Sequence, residues 1–150
     1  MIKKHLMRIG LVLVICGVTP LGFAHSGATG IVKQRMDQFT RSKDNLKAIK
    51  AHIAAENYQE IQRLASEIKD WAESMPDYFP VGGDQKLSEA SPQIWVDFSG
   101  FKRAADAHAT AAGDLVIAAS HEDKTAVIAA MAATAASCKS CHKRYKLDSR

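Results

Sequence analysis

The sequence predicts an all-α chain, an antiparallel up-down-up-down four-helix bundle. Three observations predict it. Apolar residues recur at helical steps of three, four or seven in four stretches, each roughly 20 residues long. Short turns join three of those stretches, which forces neighbouring helices to run in opposite directions. No alternating strand pattern and no internal repeat is present, and alanine, the best helix former, crowds the second half. The chain has 150 residues, one domain's worth and enough to bury a core. Apolar residues at 47% and charged residues at 24% exclude disordered or linker-rich chains.

The first element is a leader. Residues 1–8 are short and basic, with Lys3, Lys4 and Arg8 and no acid beside them. Residues 9–23 are mostly apolar, and Gly22 and Ala24 supply the small positions before a cut. That order describes a secretory signal peptide over residues 1–24, with a mature domain over 25–150 that starts near His25. The apolar run of about 15 residues is short of the roughly 20 a spanning helix needs, and Pro20 and Gly22 break its end. Cleavage, export to the periplasm and no membrane attachment afterwards are therefore expected. Cys16 lacks the small apolar lead-in of a lipoprotein. The chain's net charge is +4, and setting aside the leader's three cations leaves it within one charge of neutral. Nucleic-acid binding needs clustered positive charge, so no such partner is expected.

The first helix begins near Gly30, with Thr29 as a cap, and carries Val32, Met36, Phe39, Leu46, Ile49 and Ile53 on one side. Asn57 caps a second helix with Tyr58, Ile61, Leu64, Ile68, Trp71 and Met75 facing inward, which stops at Pro76. Residues 76–91 read as a loop holding two prolines and a glycine pair. Ser91-Pro92 then opens the third helix as cap and first helical residue. Its inner side holds Ile94, Trp95, Phe98, Phe101, Ala105, His108, Ala112 and Leu115. A turn at residues 120–123 leads to the fourth helix, about Lys124 to Tyr145, with Val127, Met131, Thr134, Cys138 and Cys141 inward. The third and fourth helices have alanine-rich inner positions. Small residues let helices approach closely but bring little apolar area, so a bulky apolar group is expected to fill the gap.

The chemistry sits at Cys138-Lys139-Ser140-Cys141-His142. CxxCH is the attachment signature of c-type haem. Two thiols three residues apart lie on one helix face, where they meet the two vinyl groups, and His142 turns its imidazole to the iron. A redox CxxC sits at a helix start near a strand, and a zinc site needs about four ligands; neither condition holds. With Cys16 removed, Cys138 and Cys141 are the only cysteines, so there is no disulfide framework.

The fourth helix ends at the motif, which puts the haem at one end of the bundle. Helix rise puts Val32, Arg35, Met36 and Phe39, Trp71 and Met75, and Trp95 and Phe98 at that level, with Trp71 and Met75 read as core. By the same arithmetic His108 is roughly 24 Å away and Met131 roughly 15 Å, both too far to serve as ligands.

Val32-Lys33-Gln34-Arg35, Pro92-Gln93-Ile94-Trp95 with Phe98 and Phe101, and the stretch Cys138-Lys139-Ser140-Cys141-His142-Lys143-Arg144-Tyr145 together resemble the class II c-type cytochromes, the cytochrome c′ family. The resemblance covers essentially the whole mature chain. It implies that the first-helix Arg is followed four residues later by the distal residue, so Arg35 puts Phe39 there. A Met there implies a six-coordinate, low-spin electron carrier; Leu or Phe implies a five-coordinate, high-spin haem that binds small gases such as NO or CO. Met36 lies about 60° round the helix from Phe39 and stands as a candidate distal ligand, so both arrangements remain open. The resemblance further implies Arg35 at the haem propionates, Trp95 at the haem edge, and a homodimer through the first two helices. Lys146 stands where family members often carry Arg, a point charge in place of a planar fork.

The function expected is a periplasmic c-type cytochrome that carries single electrons through Fe(II)/Fe(III). The alternative is a five-coordinate gas-binding haem protein screened by Phe39; a remote third is a non-haem helical interaction module. No nucleophile–base pair, phosphate loop or paired-carboxylate site stands out, so no substrate-turning enzyme is expected. Lys139, Lys143, Arg144, Lys146 and Arg150 gather near the motif. They either dock an acidic redox partner or simply complement the helix C-terminus. His52 and His121 read as solvated.

Overall fold

A computed structural model describes residues 28–82 and 88–147. The expected leader over residues 1–24, and Arg150, lie outside the described residues. The helices are α1 (Gly30–Ala54), α2 (Tyr58–Ser74), α3 (Gln93–Val96), α4 (Phe98–Ser120) and α5 (Lys124–Tyr145), with a 3-10 turn at Met75–Tyr78 after α2. Among the described residues the only extended pairing is one antiparallel bridge between Ala90 and Lys146.

Local chemistry sets the boundaries. Asn57 caps α2 by accepting the Glu60 N–H at 3.2 Å. Asp123 caps α5 by accepting the Ala126 N–H at 3.0 Å. Thr29 occupies the cap position of α1, but its side chain makes no capping bond. At the far end from the motif, Lys124 pairs with Glu56 at 2.7 Å and links the two short turns.

The third helix differs from expectation in being two helices. Ser91 Oγ accepts the Gln93 N–H, and Pro92 sits at the cap itself, but α3 lasts a single turn. Asp97, at φ −128° and ψ 60°, leaves helical geometry and restarts the chain as α4 by accepting the Gly100 N–H at 3.0 Å. A carboxylate able to cap offers the backbone an alternative to continuing the helix. The restart rotates Phe98 outward to 37% exposure, so it is not the inward residue its spacing predicts.

Two buried clusters fill the interior. Ile49, Ile61, Leu64, Ile68, Leu115 and Val127 form the one nearer the short turns. Trp71, Met75, Phe79, Ile94, Phe101 and Tyr145 form the one near the motif, and Trp71 and Met75 are core as expected. Helix α4 lies closely against α2 and α5, α1 lies against α2, and α1 touches α5 only lightly. The bundle is therefore opened along one seam.

Gly100 is required by a close approach. A Cβ there would stand 2.6 Å from Tyr145 Oη and closer still to the Asp97 carboxylate. Helix propensity alone would favour alanine by about 1 kcal/mol. We expect the crowding to win, with Gly100→Ala lowering stability by about 1–3 kcal/mol, read from urea midpoints. A raised midpoint would show that Asp97 and Tyr145 yield freely.

Candidate functional site

The motif occupies the last turns of α5. Cys138 and Cys141 are half-buried, and Cys141 packs against the aromatic cluster. His142 keeps an open side, yet desolvation and then Lys146 push its imidazole below the usual value, against an opposing pull from Glu89. It is thus neutral near pH 7, as an iron ligand must be. Burial raises both thiols, Cys141 to about 11.

The chain beyond His142 is pinned. Ser91 N–H donates to Tyr145 O at 3.0 Å, and Leu147 N–H donates to Glu89 O at 2.7 Å. Tyr145 OH and Arg144 both donate to Asp97 Oδ2, at 3.2 and 2.7 Å. One carboxylate therefore caps α4 and holds the end of α5. Sequence reasoning missed this clamp, although Asp97 and Gly100 three residues apart carry a capping signal.

Phe39 reaches the motif from α1. Its ring centroid is 6.3 Å from that of His142, 5.3 Å from Trp71 and 6.5 Å from Phe79. Met36 is half-buried on the same helix. Arg35 is only 1% exposed, which excludes a solvated surface arginine. Its guanidinium donates to Ser88 Oγ at 2.8 Å and Tyr78 O at 3.3 Å and lies 4.6 Å over the Phe79 ring. Trp95 is half-buried, and its indole N–H is shared between the carbonyls of Phe79 and Pro80 at 3.2 and 3.0 Å.

His108 corrects the distance arithmetic. It is 5% exposed, and its ring nitrogens both stand 3.8 Å from Cys138 Sγ. The turn at residues 121–123 folds α5 back along α4, so His108 pairs with Ser137 and Cys138. Counting from the start of the third helix put it at the wrong level.

Of the basic residues near the motif, Arg144 is paired with Asp97 and Lys146 with Glu89 at 2.8 Å. Lys139 and Lys143 are exposed.

These residues fit a covalently held haem. Two thiols on one face, a neutral imidazole and an opened α1–α5 seam beside an aromatic wall suit a flat apolar macrocycle. The Trp71 indole N–H is buried with no acceptor among the described residues. A buried donor left unmade is costly, and haem carboxylates are acceptors.

Comparison with known proteins agrees. A family model described as Cytochrome C′ matches residues 30–146. A cytochrome c-556 from Agrobacterium tumefaciens is 34% identical over 112 residues, 75% of this chain and 90% of that one. The crystal structure of cytochrome c′ from Thermochromatium tepidum superposes with a TM-score of 0.72 at 27% identity, covering 79% of this chain and 95% of the other. That of Rubrivivax gelatinosus cytochrome c′ gives 0.68 at 26%, covering 77% and 94%. The four-helix-bundle architecture agrees with these neighbours.

The clamp makes stability depend on acid. The Gly100 N–H, then Tyr145 OH and Arg144, hold the Asp97 carboxyl below its usual range. The stabilisation is present above the unfolded value of about 3.9 and is lost as pH falls through the lowered folded value. We expect Asp97→Asn to reduce the urea midpoint at neutral pH, with the difference from the parent shrinking below about pH 4. A difference independent of pH would show that the charge is not what matters.

Proposed function

The chain belongs to the cytochrome c′ family, a family of haem c proteins, and on that premise we propose that it is an exported single-electron carrier with a closed, five-coordinate haem. Residues 1–24 are the export leader and the periplasm is the destination. Cys138 and Cys141 carry the haem through thioethers, and His142 supplies the proximal nitrogen. Haem iron contributes the one-electron Fe(II)/Fe(III) couple.

The wall around Phe39 carries this reading. Phe39 stands across from His142 with its ring braced on Trp71 and Phe79. A ring wedged between aromatic neighbours does not swing aside without breaking those contacts. It has no lone pair to give iron, and it excludes water and exogenous ligands from the distal side. Electron exchange through the haem edge needs no open coordination site. Arg35 supplies a buried positive charge for a propionate, and the Trp71 N–H a second donor. Trp95 steadies the 79–80 backbone beneath that wall.

One second reading, a gas-binding haem, rests on Phe39 having no lone pair to fill the sixth position. It requires Phe39 to admit a diatomic molecule. NO or CO would then be the ligand, and redox partner proteins would be secondary. A homodimer through α1 and α2 is compatible with either reading.

We expect a ferric EPR spectrum of the high-spin type, unchanged by Met36→Leu, and a ferrous visible spectrum that CO does not alter. Phe39→Ala should open the distal side and make CO binding visible at once. Ready CO binding by the parent would establish the gas reading in place of the carrier. A low-spin spectrum lost in Met36→Leu would make Met36 the sixth ligand.

For the partner, we propose an acidic surface that meets exposed Lys139 and Lys143. Exchanging both for Gln should slow reduction by an acidic redox protein several-fold at low ionic strength and have little effect at high salt. Equal rates at low salt would remove these lysines from docking.

A further inference from the structure

Helix α5 carries no charged residue between Lys124 and Lys139. It lies closely against α4 and only lightly against α1, so its outer face is uncovered. Ile128 is 52% exposed there, and Ala129, Ala132, Ala135 and Ala136 are exposed with it. A surface helix ordinarily turns charge to solvent, and one that is apolar all round is ordinarily buried. At 3.6 residues per turn Ala132 stands about 140° round the helix from buried Val127, whereas Cys138 stands only about 20° from it. The haem-bearing face and this face are therefore different. Among the described residues no helix is long and apolar enough to cross a membrane, so the face is not a lipid-spanning one. Charge is divided between its two ends. Glu122 and Asp123 precede the helix, and exposed Lys139 and Lys143 follow the apolar stretch, at about 120° and 160° from Val127. Arg144 and Lys146 have carboxylate partners, whereas Glu122, Lys139 and Lys143 form no ion pair among the described residues. By contrast, no large apolar side chain of α1 or α2 is exposed among the described residues.

We propose that this face takes a second copy of the chain, in an antiparallel α5–α5 pairing about a two-fold axis at Ala132. In an isologous contact residue 132 meets itself, and residues equally far on either side of it meet each other. Ile128 of one copy then packs on Ala136 of the other, and the alanines let the two backbones come close. Glu122 lies ten residues before the axis and Lys143 eleven beyond it, so they fall within about 1.5 Å of the same level. The acidic end of each α5 thus meets the basic end of the other, and it does so twice. A parallel pairing would set like charges together, so charge fixes the direction. The strip is about 28 Å by 10 Å, less than the roughly 800 Å² per partner of a standard interface, and the dimer is therefore reversible. Lys139 and Lys143 are open to an acidic redox protein only in the monomer, so the two encounters exclude each other. The pairing itself does not rest on the electron-carrier reading.

The test is sedimentation equilibrium of the haem-loaded protein, followed by haem absorbance, from micromolar to millimolar concentration. A monomer–dimer equilibrium is expected, with a dissociation constant that rises about ten-fold from low to high salt. Ala132→Glu sets two carboxylates against each other at the axis and should leave monomer alone. Lys143→Glu and Glu122→Lys each bring like charges together and should each weaken the dimer about ten-fold. Combined in one chain, the two exchanges re-pair across the axis and should restore it. Circular dichroism and the visible spectrum check that each variant keeps the parent's helicity and haem. Monomer at every concentration would overturn the proposal. So would a dimer untouched by Ala132→Glu, as one through α1 and α2 would be, or a double exchange that fails to recover what the single ones lose.

Discussion

The register of the α4–α5 hairpin is the constraint on which the site depends. A turn of three residues leaves the two helices no freedom to slide, and alanines along their shared face let the backbones come close. Thr134 can therefore reach a carbonyl of α4, and His108 can reach Ser137 and Cys138. A one-turn slip would move each side chain by about 5.4 Å and break every one of these contacts. The seam looks weak by apolar area, yet polar bonds that exist at only one register make it specific. Such bonds are costly to leave half made, which is how a low-relief face resists sliding.

The other end of α5 is held by a different device. Asp97 ends one helix, starts the next and receives the two residues that follow the motif by two or three places. A single carboxylate thus couples the break in the third helical stretch to the placement of His142. The aromatic wall then builds outward from α2, with Trp71 beneath Phe39 and Phe79 beside Arg35. Arg35 is buried over a ring and donates to a carbonyl and a hydroxyl. A buried guanidinium is tolerable when it is well bonded.

Much of this was legible beforehand. The all-helical architecture, the cap at Asn57 and the inward face of α2 follow from spacing and local hydrogen-bonding chemistry. The motif names its cofactor because few other sites use two thiols and an imidazole at that spacing. Phe39 was reached through the Arg35 match, and the structure places it beside His142. Three features were not legible. Asp97 sits inside a periodic apolar pattern, and nothing in periodicity says that a capping side chain will interrupt it. Arg35 was placed at the haem only through the resemblance, and its burial against Tyr78, Phe79 and Ser88 is not written in helical spacing. His108 was misplaced because rise along one helix says nothing about depth until the partner helix and its turn fix the origin of the count.

The segment from Tyr145 to Leu147 is stitched by backbone bonds to residues 89–91, so the protein's tail departs from a fixed anchor and not from a fraying end. Leu147 is five residues past His142, a separation that cannot exceed about 18 Å even fully extended. A linker grafted at that point would hold the molecule against a conducting surface with its metal always close by and always the same way round. Wiring through the tail would give uniform electronic coupling from one immobilised molecule to the next.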